Sequence, residues 1–279
     1  MNYSEYLGTS DKYVDYQKMN KFQDSPAYLK KKAFIQQLLT IYGRKPVLEA
    51  LNDSSLTCFR LHLAESNKPI AIIQEMENIA QQKQIDIVYH SRQALSRISK
   101  NGKQDQGVCL DIHCPYHQNY RDFLEQHKTN NTCLRLLALD RITNPQNLGM
   151  ILRSACAGKV DGILLSEKGC AKLDALVIKA SAGTIFKAPL LKCDDLYSAL
   201  EELQANNMQV IGLSGHAANS LKSFNEPNKV VYILGNETEG MSKAIERLCD
   251  KTVSIPMSNN VESLNVAATA SLLAFRGLI

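Results

Sequence analysis

No apolar run in this 279-residue chain exceeds ten residues: the longest nearly unbroken one is Val266 to Phe275. A membrane-spanning helix needs about 20, so none is expected. The first twenty residues, MNYSEYLGTSDKYVDYQKMN, lack the apolar core of a secretory leader, which points to the cytoplasm. Glycine (14) and proline (8) are too scarce for a collagen-like or flexible low-complexity chain. The eight cysteines form no C-x-x-C pair, and their scatter suits reduced thiols. There is no G-x-G-x-x-G for a dinucleotide, no G-x-S-x-G nucleophile elbow and no H-E-x-x-H metal helix. Three common reaction classes are thereby set aside.

What remains is an ordinary globular composition, 44% hydrophobic and 22% charged, enough for about two domains. The net charge of +4 is uneven: residues 1–131 carry 17 − 14 = +3 and residues 132–279 carry 15 − 14 = +1. The excess in the front half favours a polyanionic partner there. Cys109, His113, Cys114 and His117 are zinc-type residues within a nine-residue stretch. Their C-x4-C spacing departs from the usual fingers, and we read them as separately buried or solvated residues near a domain junction, with no metal.

Along the chain, residues 1–38 read as an extension, partly disordered or helical, ending near Lys30-Lys31-Lys32. Residues 39–113 read as a small α/β domain: helix at Val47–Leu51, a mixed stretch around Leu61, helix at Ile70–Gln82, strand at Ile85–Val88, helix at Ser91–Ile98, strand at Val108–Ile112. Residues 114–131 are a polar linker without a sheet-like run, helical around Tyr120–His127. From 132 to 279, strands beginning at Leu134, Gly162, Pro189, Val210, Val230 and Thr252 alternate with helices, one of them at Ala171–Ser181. That alternation predicts an α/β fold with a mostly parallel sheet covered by helices on both faces. Ligands of such sheets gather beyond the carboxyl ends of the strands.

Three loops sit there. Thr143–Gly149 opens a helix that carries Arg153, with Asn147 as its expected N-cap; a helix N-terminus and an Arg fork both suit anions. Gly235–Ser242 has P-loop spacing, but Met241 stands where the phosphate-binding Lys is required, and Glu237 and Glu239 would repel a triphosphate. An acidic, glycine-bracketed loop suits a cationic or hydroxyl-bearing ligand. Ile255–Asn265 leads into a helix, Leu264–Phe275, that is apolar almost all round and is therefore expected to be buried. Asn265 would then be a polar group in a dry place, either capping the helix or meeting a ligand.

In this order and at these separations, Asn147-x-Gly149-x3-Arg153, Leu234-Gly235-Asn236-Glu237-x2-Gly240, and Ile255-Pro256-Met257 with Ser263-Leu264-Asn265-Val266 resemble the three motifs of the SpoU/TrmH family of RNA ribose 2′-O-methyltransferases. Ile41-Tyr42-Gly43, Val47–Leu51 and Gln106-Gly107-Val108 resemble that family's ribosomal-protein-like substrate-binding domain. The resemblance spans roughly residues 39 to 279. Asn144, Ala267 and the Asn259-Asn260 pair depart from the usual pattern, where an acid, a Ser and a Gly are more common.

The resemblance implies a SPOUT fold with a C-terminal trefoil knot, a homodimer that completes each site across its interface, and S-adenosylmethionine as methyl donor. Leu213, Ser214, Gly235, Asn236, Ile255, Met257 and Leu264 would hold the cofactor. Arg153, Asn147, Glu237, Ser263 and Asn265 would form the catalytic set. Family reasoning makes Arg153 the base; guanidinium is a poor one, so a clamp on phosphate or ribose fits better, with Glu237 as base or orienting partner. The front domain favours ribosomal RNA, with guanosine as the expected nucleotide. The other readings are a transfer RNA 2′-O-methyltransferase and a non-catalytic RNA-binding or ribosome-assembly protein.

Overall fold

The computed structural model describes residues 34–128, 132–166, 168–259 and 261–278. The Lys30-Lys31-Lys32 run and the rest of the extension up to residue 33 lie outside them. Residues 36–279 form one compact unit.

Its first part is a four-stranded sheet with three helices: Leu38–Tyr42 (β1), Arg44–Asn52 (α1), Thr57–Ala64 (β2), Ala71–Gln82 (α2), Asp86–His90 (β3), Arg92–Ser99 (α3) and Val108–His113 (β4). The strand order is β1-β4-β2-β3, with β4 antiparallel to β1 and β2, and β2 parallel to β3. Val47, Ala50 and Leu51 of α1 and Ile73, Met76 and Ala80 of α2 are buried at helical spacing. They pack on Leu61 and Leu63. The stretch around Leu61 is thus a full strand. A bulge between Cys58 and Arg60 breaks its alternation, and Leu61–Ala64 is buried on both faces, which hid the period of two.

The second part continues with Gln118–Asn119 (β5), Tyr120–His127 (α4), Leu134–Leu139 (β6), Pro145–Ala157 (α5), Gly162–Ser166 (β7), Ala175–Ala180 (α6), a 3-10 turn at Thr184–Phe186, Leu190–Cys193 (β8), Leu196–Ala205 (α7), Gln209–Leu213 (β9), Asn219–Ser220 (β10), Lys229–Leu234 (β11), Lys243–Leu248 (α8), Lys251–Ser254 (β12) and Val266–Phe275 (α9). Eight strands lie in the order β10-β12-β9-β11-β6-β7-β8-β5, and every pairing is parallel. Leu137, Leu139 and Ile163 face α5, α6 and α9 in one core; Leu136, Ala138 and Val231 face α4 and α7 in another. The α/β architecture with helices on both faces is therefore present. β12 occupies the slot between β9 and β10, which residues 214–218 connect.

Four local readings are corrected. The linker is not free of sheet: Gln118 and Asn119 pair in parallel with Leu191 and Lys192. Asn147 is not the cap of α5: Asn144 is, its Oδ1 accepting from the Gln146 N–H at 2.9 Å, and Pro145 occupies the first turn, where its missing N–H costs nothing. The helix expected over 171–181 contracts to α6 because Asp174 caps it from within, accepting from Leu176 and Val177. Finally, α9 is not buried all round. Ala268 and Leu272, one turn apart, are exposed, Leu272 being 44% exposed. Its other side packs on α5, and the two helices run parallel, as Asn147–Asn265, Ser154–Ser271 and Lys159–Ala274 hydrogen bonds show in succession.

The end of α9 is held by an ionic clasp. Glu226 receives Arg135 at 2.7 Å and Arg276 at 3.3 Å, and accepts from the Tyr232 hydroxyl at 2.9 Å. Arg135 also donates to the Leu273 and Arg276 carbonyls, and Arg276 to those of Leu221 and Phe224.

Cys109 and Cys114 lie in different cores, and burial pushes both thiols up to about 12. His113 meets Gln37 at 3.0 Å. His117 is fully buried, its Nε2–H donating to the Ile185 carbonyl at 2.9 Å, and burial pushes it down to about 4. An unfolded histidine titrates near 6.5, so the unfolded state binds the extra proton between about pH 6.5 and 4. Stability should therefore fall through that window, by about 3 kcal/mol in full. Urea unfolding at pH 7.5 and 5 should show the wild type losing about 2 kcal/mol more than His117→Gln; equal losses would remove this residue from the pH response.

Candidate functional site

The chain runs from β6 outward through β7 and β8, then returns to build β9 and β11 on the other side of β6. Such a reversal leaves a crevice at the carboxyl ends of the strands. Here it is a cleft of about 720 Å³, within the range of small-molecule sites. Leu213 and Ser214 line it from the end of β9, Gly235 and Asn236 from the end of β11, and Ile255 and Met257 from the segment after β12. Leu264 lines it from just before α9. The structure thus brings all seven residues expected to hold a cofactor to one cleft.

Behind the cleft, the three loops are joined by side chains. Asn147, freed from capping by Asn144, donates through Nδ2 to Glu237 Oε1. Its Oδ1 accepts from Asn265 Nδ2 at 3.1 Å. Asn265 Oδ1 in turn caps α9, accepting from the Ala267 N–H at 2.8 Å. Of the two roles considered for Asn265, the structure shows the cap, and its amide nitrogen also reaches Asn147. Asn265 is an exposed residue, which corrects the expectation of a dry position. Asn147 is 8% exposed; Glu237 reaches the cleft.

Loop two is shaped by contacts that the sequence did not signal. Asn236 and Gly240 exchange backbone hydrogen bonds at 3.0 and 2.9 Å, closing a tight turn. Asn236 Oδ1 accepts from the Thr238 and Glu239 amides. Arg141, just after β6, pairs with Glu239 and donates to the Gly240 carbonyl at 3.2 Å. Buried Asp140 accepts from the Ser242 amide at 2.6 Å. A Cβ on Gly235 would lie 2.5 Å from Gly240 C and Met241 N, so only glycine admits this turn. Gly149 is similarly crowded, 2.4 Å from Ala180 Cβ, where α5 presses on α6.

Among the other expected residues, Ser263 lines the cleft. Arg153 does not; it is exposed on α5 and forms no ion pair among the described residues. Asn259 adopts φ 56, a left-handed conformation that Asn tolerates nearly as Gly does. That accounts for one of the two departures in loop three; Asn260 lies outside the described residues. The apolar walls (Leu213, Leu234, Ile255, Leu264) meet an acidic rim of Glu237, Glu239, Glu246 and Glu262. Glu246, Glu262 and Thr269 had no sequence signal beyond their proximity to the loops. A half-apolar cleft with carboxylates and no lysine or arginine in its lining accepts a cationic, partly apolar ligand and disfavours a polyphosphate.

Residues 134–275 match the SpoU rRNA Methylase family, and residues 40–117 match the family described as RNA 2′-O ribose methyltransferase substrate binding. A Mycolicibacterium vanbaalenii protein named uncharacterized tRNA/rRNA methyltransferase is 31% identical over 233 residues, covering 84% of this chain and 74% of its own. A protein of the same description from Mycobacterium leprae is 31% identical, covering 84% and 75%. Among solved structures, the chain is similar to the SpoU methyltransferase AviRb from Streptomyces viridochromogenes in complex with AdoMet, with a TM-score of 0.56, 20% identity and 90% and 92% of the two chains covered. It is also similar to the AdoMet-bound rRNA methyltransferase from Sinorhizobium meliloti, with a TM-score of 0.56, 20% identity and 92% of each chain covered.

Proposed function

The chain belongs to the SpoU family of RNA methyltransferases, and from that premise we propose that it methylates a ribose 2′-hydroxyl of RNA, with S-adenosylmethionine bound in the cleft. One observation carries the reading: the Glu237–Asn147–Asn265 hydrogen-bond chain, which ties all three loops together behind a cleft lined by Leu213, Ser214, Gly235, Asn236, Ile255, Met257 and Leu264. The lining fits the donor, whose sulfonium is cationic and whose adenosine and methionine parts have both apolar and polar surface. When bound, that cofactor supplies an activated methyl group to an incoming oxygen nucleophile.

The protein's own task is then position and proton transfer. Asn147 fixes one oxygen of Glu237, so that the carboxylate is oriented to accept the proton the 2′-hydroxyl must lose. Ser263, at the cleft wall, hydrogen-bonds the ribose. Arg153 holds the target phosphate or ribose with its planar fork. Because Arg153 stands off its own cleft, it serves the cleft of a second copy. Exposed Met150 on α5 and the Ala268/Leu272 stripe on α9 supply the apolar face for such a homodimer. The slot filled by β12 beneath residues 214–218, with α9 clasped beyond it, supports a C-terminal trefoil knot.

Ribosomal RNA is preferred to transfer RNA as substrate, on the strength of the front domain and of the +3 charge that residues 1–131 carry together. The protein with labelled S-adenosylmethionine should transfer methyl to purified ribosomal RNA, leaving one phosphodiester resistant to alkali, as ribose methylation demands. Label on a base would overturn the 2′-O assignment; label on transfer RNA alone would overturn the substrate.

A further inference from the structure

Segment 168–187, between β7 and β8, carries four lysines (168, 172, 179 and 187) against one described acid, Asp174. All four lysines are exposed, and none forms an ion pair among the described residues. Asp174 is occupied in capping α6. The catalytic part of the chain, nearly neutral as a whole, therefore has a basic flank.

The position of Lys187 sets it apart. On α5, Gly149, Arg153 and Cys156 are spaced i, i+4, i+7 and share one side. Gly149 packs against Val177, Ala180 and Ser181, so that side of α5 lies along the lysine-bearing segment. Lys187 follows directly on the 3-10 turn that packs on α5. In keeping with that packing, burial raises the Cys156 thiol on α5 and the Lys187 ammonium pulls the other way.

We propose that Lys187 is a contact for an RNA phosphate, placed beside the helix that carries Arg153 and so guiding the substrate strand toward it. The inference rests on the reading of the protein as an RNA 2′-O-methyltransferase. A lysine is suited to the role as a point charge on a flexible stem, matching a backbone phosphate whatever the base.

The test is the salt dependence of binding to a fluorescein-labelled single-stranded oligouridylate. Each lost phosphate contact lowers the slope of log K against log[salt] by about 0.7 for single strands. Lys187→Gln should show that decrease and bind about fivefold more weakly at 0.1 M salt. Lys187→Arg should restore both values. Lys251→Gln, at the amino end of β12 on the surface, should behave as wild type. In methyl transfer, Lys187→Gln should raise KM for RNA and leave kcat and the KM for the cofactor unchanged. A Lys187→Gln slope equal to that of wild type, or an equal drop in Lys251→Gln, would overturn this inference alone. A wild-type protein that methylates no RNA would instead overturn the reading on which it rests.

Discussion

Arg153→Ala should lower the rate of methyl transfer by roughly 10²- to 10³-fold, the cost of removing one well-aligned donor from a reacting centre. Binding of S-adenosylmethionine, measured by calorimetry, should be unchanged, because Arg153 does not line the cleft on its own chain. Lysine at this position should rescue little, since it lacks the planar fork. A second experiment separates action within one chain from action across a dimer. Gly235→Val should close the cleft, since even a Cβ there meets Gly240 and Met241 at 2.5 Å. Alone, each variant should be inactive. Mixed and allowed to exchange, they should regain activity, because one interface then carries an intact Arg153 from one copy and an intact cleft from the other. An active Arg153→Ala enzyme would remove the clamp; inactivity of the mixture, with exchange demonstrated, would place Arg153 and its cleft in the same copy.

The second large effect is on stability. Glu226→Ala should cost about 3 kcal/mol, read as a lower urea midpoint, because it leaves Arg135 and Arg276 facing each other in a mostly buried place with no counter-charge. Both arginines also hold carbonyls at the end of α9 and in residues 221–224. The loss should therefore appear as accelerated hydrogen exchange over residues 266–276 before global unfolding. Glu226→Gln, which keeps shape but not charge, should lose nearly as much. A variant as stable as wild type would show that the clasp contributes little beyond its desolvation.

Much of the fold could be read in advance, for a physical reason. Parallel strands buried on both faces appear as short apolar runs, and Leu134–Leu139 and Val230–Leu234 could hardly be anything else. The polar pair Gln118–Asn119 offers no such run, and its pairing with β8 depends on a partner more than 70 residues away. Two asparagines three apart both suited the N-cap of α5. Pro145 was the available signal for choosing Asn144, and choosing it would have left Asn147 free for Glu237. The cleft residues were legible through family resemblance rather than periodicity; polar loops carry no pattern of their own. Arg141 was missed because nothing about an arginine after a strand tells that it will pin a turn about a hundred residues later. The exposed stripe on α9 was missed because an apolar helix looks the same whether its outer face meets its own core or another molecule.

The pairing of β5 with β8 has a consequence beyond completing a sheet. It converts the last stretch before α4 from a tether into a strut: backbone bonds at Gln118 and Asn119, with His117 seated on the Ile185 carbonyl, anchor the small domain's exit to the rigid frame. An RNA engaged by both parts would be measured against a fixed span, as by a caliper. Molecules whose recognition feature stands at the wrong distance from the ribose would be refused by length alone, with no contact needed to reject them.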